Sequence, residues 1–597
     1  MLEDILLQVN KPARYIGKEW NAAKKDFASA RIKFALGFAD LYEVGMSNLG
    51  LRILYGILNS ISDVACERFF SPGDDLEKVL RGERKEICSL ESGRSLREFD
   101  IIGFSLGSEL CYTNVLNILE LSNVPLQASL RGNTYPLVIA GGPCVLNPEP
   151  MHEFFDLFVI GEAEDLILQI IEVYRENNEK YKADKISKQD LLLELSKIEG
   201  VYVPSFYEAE YDSFGKIENF RPKIEGIPRR IKKRTVNNLD SAYFPLEWLV
   251  PYIQIIHDRI TLEIMRGCPN RCRFCQARSQ YYPLRQRSVD KILNLAQECY
   301  RHSGYEEISL AGLSVSDYAQ MEELLGRLVD SFKARAVGLS LPSLKAKALV
   351  GNFSSLIASI KKTGLTFAPE AGTRGAREIL AKDFDEEEFF KALEQAYAAG
   401  YQHVKLYFMI GLPFETEADL DGIVDFSIRV SELRRKVARA PAQVNISINT
   451  LIPKPHTPFQ WFSMEDAESI KYKQNYLRDR IRRNKRLKLN LHGRDMSFLE
   501  GILSRGDRKL SRVIYEAFRS GARFDAWSDH FNLERWLEAF RVANIDPQAY
   551  LKEIPKDSLL PWDFLDIGID KETLKNEFNK SVAIKEEKLY NSTKSDI

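Results

Sequence analysis

The sequence predicts an α/β protein in which a doubly wound parallel-sheet domain precedes a partial (β/α)6 barrel and a mainly helical C-terminal region. Two observations predict this order. Short apolar segments alternate with helical stretches from Arg31 and again from Ile260, and this alternation is typical of parallel sheets. After Pro458 the sequence becomes charged and helical in pattern. We expect a lead-in at 1–30, the first domain at 31–200, a linker at 201–255, the barrel at 256–465 and the helical region at 466–597.

The first domain is predicted to be flavodoxin-like (Rossmann-like), after a helical lead-in. Its strands are apolar and β-branched, and several end beside glycine. The predicted strands are Ile32–Gly37, Val64–Phe70, Ile101–Ser105, Leu137–Ala140 and Leu157–Ile160. The predicted helices are Ser47–Ser60, Tyr112–Ser122 and Glu164–Glu176. Pro204–Val250 is rich in proline, glycine and charge with weak periodicity, which indicates a linker.

The second series of βα units predicts a barrel of TIM type. Six units in about 200 residues are too few for a closed eight-stranded barrel, so we expect a partial one whose strand C-termini hold the site. The predicted strands are Ile260–Arg266, Glu307–Gly312, Val337–Pro342, Leu365–Glu370, Val404–Gly411 and Asn445–Leu451.

Composition excludes several classes of protein. The 597 residues are 45% hydrophobic, which excludes a disordered chain, and 83 Lys+Arg against 85 Asp+Glu exclude a polycation. The acidic start MLEDILLQVN lacks the basic region of a signal peptide, and no apolar run approaches the roughly 20 residues that cross a bilayer. We expect a cytoplasmic protein without membrane contact.

Three of the eight cysteines lie close together in sequence: Cys268, Cys272 and Cys275. The other five are scattered, as buried thiols are. Three thiolates at C-x-x-x-C-x-x-C spacing can ligate three irons of a 4Fe-4S cluster and leave the fourth iron open. A structural zinc site normally has four protein ligands, for which His257 and Cys299 are the nearest candidates. Zinc and chance clustering stay as alternatives to the iron–sulfur cluster.

This segment resembles the three-cysteine loop of the radical S-adenosylmethionine (SAM) superfamily, in which an aromatic residue, here Phe274, precedes the last cysteine. The resemblance implies that the open iron binds SAM. An electron from the cluster would then cleave the sulfonium and give a 5′-deoxyadenosyl radical. It also implies an external electron donor such as flavodoxin or ferredoxin.

The resemblance extends to the ends of later strands, where the family binds SAM. After the second barrel strand, Gly312 matches the family pattern and Ser314 is a candidate acceptor for the SAM amino group. Glu370 after the fourth strand would contact the ribose. Met409 and Gly411, in the fifth strand and its turn, would lie beside adenine.

The first domain resembles cobalamin-binding domains. The matching segments are Asp40-Leu-Tyr-Glu-Val-Gly45, Ser105-Leu-Gly107 and Gly141-Gly-Pro143, and Glu162 matches an acidic turn of the family. Ligands of such sheets bind beyond the strand C-termini. Tyr42 occupies the position of the cobalt-ligating histidine, and a phenol is a poor ligand beside imidazole. A sheet domain without cofactor is the alternative.

The order of domains resembles a little-characterised group of cobalamin-binding-domain radical SAM proteins. It implies cobalamin-dependent methyl transfer to an unactivated carbon of an unknown substrate. Cobalamin-dependent rearrangement or cyclisation is an alternative, and so is a non-catalytic cobalamin or redox sensor.

A basic stretch suggests one class of substrate. Residues 469–494 contain ten Lys or Arg and one acid, with Tyr472 and Tyr476 between them. A smaller cluster, Arg229–Arg234, lies in the linker. Such charge neutralises phosphates, so RNA or ribonucleoprotein is a candidate substrate, with a solvated helix as the alternative.

Overall fold

The computed structural model describes residues 3–340 and 365–595. The N-terminal part contains the short helix α1 (Glu3–Leu6) and a 3₁₀ turn (Pro12–Arg14), and its other described residues are irregular. The helical lead-in expected from the sequence is therefore mostly extended and turn-like.

Six strands form the sheet of the first domain, in the order β2-β1-β3-β4-β5-β6. All pairs are parallel except β5 with β6. This order reverses direction between β1 and β3, which confirms the flavodoxin-like prediction. In sheets of this kind, ligands generally bind beyond the strand ends at the point of reversal. The strands are β1 (Ile32–Phe38), β2 (Val64–Phe70), β3 (Ile101–Ser105), β4 (Leu137–Gly141), β5 (Leu157–Val159) and β6 (Val201–Tyr202).

Helices cover both faces of this sheet, so its strands are almost wholly buried and apolar. The helices are α2 (Tyr42–Gly45), α3 (Leu49–Ser60), α4 (Asp74–Glu83), α5 (Tyr112–Leu121), α6 (Glu164–Lys182) and α7 (Lys188–Ser196).

The predicted linker is folded onto its neighbours. It forms the antiparallel hairpin β7 (Tyr207–Tyr211) and β8 (Ile217–Pro222), followed by β9 (Ile231–Lys232). Strand β9 pairs with β19 (Leu565–Asp566) near the C-terminus. The weak periodicity of this segment reflects short strands that take their partners from distant parts of the chain.

The described parallel sheets of the barrel contain seven strands, one more than the sequence predicts, and β11 and β12 form a separate antiparallel pair. The seven strands form a sheet of three, β10-β13-β14, and a sheet of four, β15-β16-β17-β18, and every pair is parallel. The seventh strand, β18, lies in the segment predicted to be helical. The end of the predicted strand Val337–Pro342 lies outside the described residues. The strands are β10 (Ile260–Glu263), β11 (Met265–Arg266), β12 (Arg285–Gln286), β13 (Glu307–Ala311), β14 (Gly338–Ser340), β15 (Leu365–Glu370), β16 (His403–Ile410), β17 (Gln443–Thr450) and β18 (Leu487–Leu491).

The C-terminal helices share an apolar core with the first domain, in which Leu499, Val513 and Trp536 join Leu116 and Phe155. The barrel helices pack on a second core around its strands. The described helices of the barrel and C-terminal region are α8 (Gln276–Gln280), α9 (Val289–Ser303), α10 (Met321–Phe332), α11 (Arg374–Ile379), α12 (Glu386–Ala398), α13 (Glu417–Leu433), α14 (Ala467–Ile481), α15 (Arg494–Arg505), α16 (Leu510–Arg519), α17 (Leu533–Ala543) and α18 (Lys571–Ser595). Within the described ranges, none of the helices has the length and apolar character to cross a bilayer.

Candidate active site

The three cysteines lie in the loop between β11 and α8, at the C-terminal end of the first barrel strand. Gly267 starts this loop with φ +88°, and a Cβ there would lie 2.7 Å from the carbonyl oxygen of Pro283. Only glycine fits so close an approach at a positive φ, and this glycine sets the direction in which the chain enters the loop.

Burial and polar groups act in opposite directions on the charge of two of the thiols. Burial raises the pKa of Cys272 to about 11, and the Lys382 ammonium opposes that rise. Burial also raises the pKa of Cys275, whose sulfur receives the backbone N–H groups of Arg278 and Ala277 at the start of α8. A nearby cation and helix N–H groups stabilise thiolates, so this donor set fits an iron–sulfur cluster held by cysteine.

The two residues considered for a fourth zinc ligand lie elsewhere. Cys299 is buried in α9 with its thiol on the carbonyl of Pro245, and the backbone N–H of His257 donates to Ser47. Across residues 3–340 and 365–595, no group of three His, Cys, Asp or Glu side chains is arranged to hold a single metal ion.

A carboxylate that the sequence analysis missed lies beside Cys268. Asn270 Nδ2 donates to Cys268 Sγ at 3.3 Å and to Asp317 Oδ2 at 3.0 Å. Ser314 Oγ donates to the same carboxylate oxygen at 2.6 Å. Ser314 also accepts from Asn270 of the cysteine loop at 3.4 Å, and Asp317 supplies the negative charge there. An acid three residues beyond Ser314 is the signal that could have identified it.

The ends of β15 and β16 contribute one charged and one apolar wall. Glu370, at φ +69°, contacts Lys382 at 3.3 Å, and burial raises its pKa against the effect of that lysine. Met409 is in a small apolar cluster against which Phe274 packs. Gly411, at φ +75°, donates its N–H to Glu415 at 2.8 Å. Gly312 follows β13 directly and lies against the side chain of Met265.

The C-terminal helix α18 reaches the cysteine loop. Arg273, between Cys272 and Phe274, donates to Glu577 of α18 at 3.1 Å and to the carbonyl of Ile379 at 2.8 Å. Ile584 of the same helix packs on the apolar cluster that contains Met409. These contacts, between residues far apart in sequence, left no signal that sequence analysis could use.

Glu162, predicted to contact cobalamin, is bound to two arginines of the barrel. It lies 3.1 Å from Arg266 and 2.7 Å from Arg285, and it accepts the N–H of Val236 at 2.7 Å. Arg266 also contacts Glu164 and Glu263, each at 2.8 Å. Burial opposes its charge, but these acids hold the pKa of Arg266 above its ordinary value. The acidic turn of the first domain therefore holds the residue that directly precedes the cysteine loop.

The glycine loops after β3 and β4 lie side by side. The N–H of Leu106 donates to Gly141 at 2.9 Å, and Gly142, at φ +100°, has no room for a Cβ against the backbone of Leu106. Gly107 is exposed, and Ser105, Gly141 and Gly142 are half-exposed. A Cβ at Gly141 would meet nothing closer than 3.7 Å, and without side chains at the three glycines the backbone is accessible to a large ring.

The loop after β1 is turned into the core instead. Tyr42 is 1% exposed and donates its hydroxyl to Glu19 at 2.8 Å, beside Arg68. Gly45 packs under the ring of Phe70. The hydroxyl of Tyr42 therefore does not face the glycine loops, unlike the side chain expected at a cobalt-ligating position.

Asp40, from the same loop, contacts the C-terminal region. It is buried, which raises its pKa, and it accepts the indole N–H of Trp527 at 3.0 Å. Asn114 of α5 binds the same segment by accepting the N–H of Phe524 at 2.8 Å. The segment around Trp527 thus covers the β1 end of the sheet edge.

The cysteine loop and the glycine loops meet at one interface. Helix α8, which starts at the last cysteine, contacts the turn Pro143–Leu146 directly after Gly142. Ser279 of α8 donates to the carbonyl of His456 at 2.7 Å. Burial lowers the pKa of His456 to about 3, so its neutral ring donates from Nε2 to the carbonyl of Leu146 at 3.0 Å.

The smaller basic cluster of the linker is partly buried at this interface. Lys233 Nζ donates to the carbonyls of Ser279, Gln280 and Tyr282 at 2.8–3.1 Å. Burial lowers the pKa of Lys233 to about 8. A lysine at a helix C-terminus satisfies carbonyls that the helix leaves free, so Lys233 positions α8 rather than offering its charge to an RNA.

Two family profiles match the chain. One described as "Radical SAM proteins, N-terminal" matches residues 50–204, and one described as "Radical SAM superfamily" matches residues 262–427. The second range contains all three cysteines and the ends of β13, β15 and β16.

One relative is similar along most of its length. The uncharacterized protein MJ0966 of Methanocaldococcus jannaschii is 30% identical over 512 residues, which cover 85% of this chain and 96% of the relative.

Two solved structures resemble the chain more distantly. The radical SAM methyltransferase TsrM of Kitasatospora setae, with cobalamin and a [4Fe-4S] cluster bound, is 13% identical, with 70% of this chain and 75% of TsrM covered and a TM-score of 0.44. The cobalamin-dependent SAM radical enzyme OxsB, with aqua-cobalamin and SAM bound, is 13% identical, with 100% and 86% covered and a TM-score of 0.46.

Proposed function

We infer that this chain, which belongs to the radical SAM superfamily, transfers a methyl group to an unactivated carbon with the help of cobalamin. The observation that supports this proposal is the contact between α8 and the turn Pro143–Leu146. It supports the proposal because α8 starts directly after Cys275 and the turn starts directly after Gly142.

Cys268, Cys272 and Cys275 would hold a 4Fe-4S cluster, and an external flavodoxin or ferredoxin would reduce it. Three thiolates would leave one iron open for SAM. When bound, the cluster would supply the electron that cleaves SAM, and cobalamin would supply the methyl group. All other contributions come from the protein, which binds and orients both cofactors and keeps water out.

Asp317 and Glu370 are suited to the polar groups of SAM. The Asp317 carboxylate lies beside Cys268 and already accepts from Asn270 and Ser314. It is placed to accept from the SAM amino group, which the sequence analysis assigned to Ser314. Glu370 remains the candidate for the ribose, and its contact with Lys382 holds it near the cysteines.

Phe274 and Met409 would exclude water on the adenine side. Both belong to the apolar cluster that α18 covers with Ile584. An enclosed apolar wall protects a reactive radical from solvent, and this is the role we assign to the C-terminal helix at the site.

Ser105, Gly107, Gly141 and Gly142 would approach the corrin ring. No imidazole comes from the β1 loop, since Tyr42 occupies that position and its hydroxyl is bound to Glu19. We therefore propose that cobalt receives no side-chain ligand from this loop.

Gly141→Val tests the cobalamin surface. Its Cβ would meet no atom of the protein closer than 3.7 Å, so we expect the fold to tolerate it and the added methyl groups to occupy space that we assign to the corrin. Gly132→Val is the matched control, because nothing lies within 4 Å of that Cβ and the site is remote in the exposed loop before β4. The measurements are the corrin absorption retained after gel filtration with hydroxocobalamin, and methyl transfer from labelled SAM to that cobalamin.

We expect the wild type and Gly132→Val to retain cobalamin and methylate it, and Gly141→Val to do neither while still cleaving SAM. Equal retention by Gly141→Val would place cobalamin elsewhere. A wild type that cleaves SAM but never retains cobalamin would overturn the cobalamin half of the proposal alone.

A further inference from the structure

The basic stretch at residues 469–494 divides into a paired helix and an unpaired turn. On α14, Tyr472 donates its hydroxyl to Glu417, and both Tyr476 and Arg480 bind Asp421. Lys473 contacts Glu415 and Glu465 at 2.7 and 2.6 Å. The hydroxyls of both tyrosines are therefore bound to carboxylates of α13, while the side chain of Tyr472 is 53% exposed.

The cations that follow α14 are different. Arg483, Lys485, Arg486 and Lys488 are exposed, and within the described part of the chain none of them forms an ion pair. They lie in the turn before β18 and at its start, which places them at the N-terminal end of the barrel strands.

A second basic segment adjoins them. The turn before β17 contains Arg434, Arg435, Lys436 and Arg439 and no acid from residue 434 to 442. The two turns are neighbours because the N–H of Val444 in β17 donates to the carbonyl of Arg486 at 2.9 Å. Arg435 and Lys436 pair with Glu432 and Glu394, while Arg439 is exposed and forms no ion pair with any described residue.

This surface, the basic pole, therefore consists of residues 434–439 and 482–488 and carries five exposed, unpaired cations: Arg439, Arg483, Lys485, Arg486 and Lys488. It lies at the strand N-termini, whereas the cysteine loop lies at the C-termini. An eight-residue strand such as β17 separates the two ends by roughly 25 Å.

We propose that the basic pole is a docking surface for the phosphate backbone of a nucleic acid. Guanidinium groups match phosphate geometry, and three of the five free cations are arginines. An interfacial membrane binder needs an apolar face, and Val437, at 41% exposed, is the one large hydrophobic residue strongly exposed in these turns. The free cations bind phosphates, which carry no sequence information, so recognition by this surface shows little base preference. The surface holds a bound polymer away from the cysteine loop, so docking is independent of the proposed methyl transfer.

The test measures binding of the full chain to a 20-base-pair RNA duplex, and to the DNA duplex of the same sequence, by fluorescence anisotropy between 50 and 300 mM salt.

The variant neutralises the turn: Arg483→Gln, Lys485→Gln, Arg486→Gln and Lys488→Gln together. The control neutralises four exposed cations that already lie in ion pairs: Arg81, Arg94, Lys197 and Arg301. Arg439→Gln, from the other turn, is a single-residue variant that tests the same surface with minimal risk to folding.

Each phosphate contact contributes about −0.9 to the slope of log affinity against log salt for a duplex. We expect the quadruple variant to lose about three to four units of slope, Arg439→Gln about one, and the control less than one. A larger loss with RNA than with DNA identifies RNA as the polymer, and equal losses identify a general phosphate surface; both support the proposal. It is overturned if the quadruple variant matches the control, or if the wild type binds phosphatidylserine vesicles but no duplex at 50 mM salt. A chain that binds duplex but never cleaves SAM leaves docking standing and overturns only the proposed function.

Discussion

Replacement of Glu162 by glutamine is predicted to loosen the junction between the first domain and the cysteine loop. Glu162 is the one carboxylate that pairs with Arg285 among the described residues, and both side chains are less than a tenth exposed. Breaking a buried ion pair costs about 3–5 kcal/mol. Glutamine still accepts the N–H of Val236, and Arg266 keeps its ion pairs with Glu164 and Glu263. We therefore expect the free energy of unfolding to fall by an amount near the lower limit, about 3 kcal/mol.

Urea unfolding followed by tryptophan fluorescence measures this loss, with Glu164→Gln as the matched control. Glu164 contacts Arg266, which retains two other carboxylates in the control. The control should therefore lose about 1 kcal/mol of unfolding free energy. A Glu162→Gln protein as stable as the control but with weakened cobalamin binding would refute the structural role of the Glu162 ion pairs and restore Glu162 as a cofactor contact.

Three further predictions concern contacts near the site. Trp527→Phe removes the 3.0 Å hydrogen bond to buried Asp40 and should cost about 1–2 kcal/mol of unfolding free energy. Thermal unfolding of the variant and the wild type measures this loss. An unchanged unfolding midpoint would show that the hydrogen bond is dispensable. Glu577→Ala leaves Arg273 without its carboxylate, so a reconstituted cluster should lose iron to a chelator several times faster; an equal rate would argue against α18 as a cover. Burial raises the pKa of Glu415 to about 7, whereas the pKa of a glutamate in the unfolded chain is roughly 4.3. The folded protein therefore binds this proton more tightly, and the proton contributes its full stability below the unfolded pKa. That contribution is lost as the pH rises to 7. The stability advantage of wild type over Glu415→Gln should therefore fall by about 3 kcal/mol from pH 4 to pH 7, and a constant difference would contradict the raised pKa.

The buried strands could be predicted from the sequence because strands covered on both faces are continuous apolar runs. Val64–Phe70 and Ile101–Ser105 are found at the predicted bounds. Strand β18 was missed because its Leu-Lys-Leu-Asn-Leu pattern lies within a basic stretch, where charge density concealed an alternation of period two that indicates a strand.

The site could be predicted only where it is local in sequence. The spacing of three cysteines identifies their loop, whereas Glu577 and Lys233 act through contacts with residues far along the chain. Glu162 shows the same limit, because its acidic turn was visible but its arginine partners come from the other domain. The basic stretch was visible as charge, and the structure was needed to separate paired from free cations.

The measurement that tests the central claim most directly is the release of 5′-deoxyadenosine from SAM by anaerobically reconstituted protein in the presence of dithionite. The account predicts that wild type releases it and that Cys272→Ala, which removes one of the three cluster ligands, does not. Cys299→Ala, a buried cysteine of α9 away from the loop, should behave as wild type. Release by Cys272→Ala at the wild-type rate, or no release by a wild type that contains the cluster, would contradict the assignment of this site.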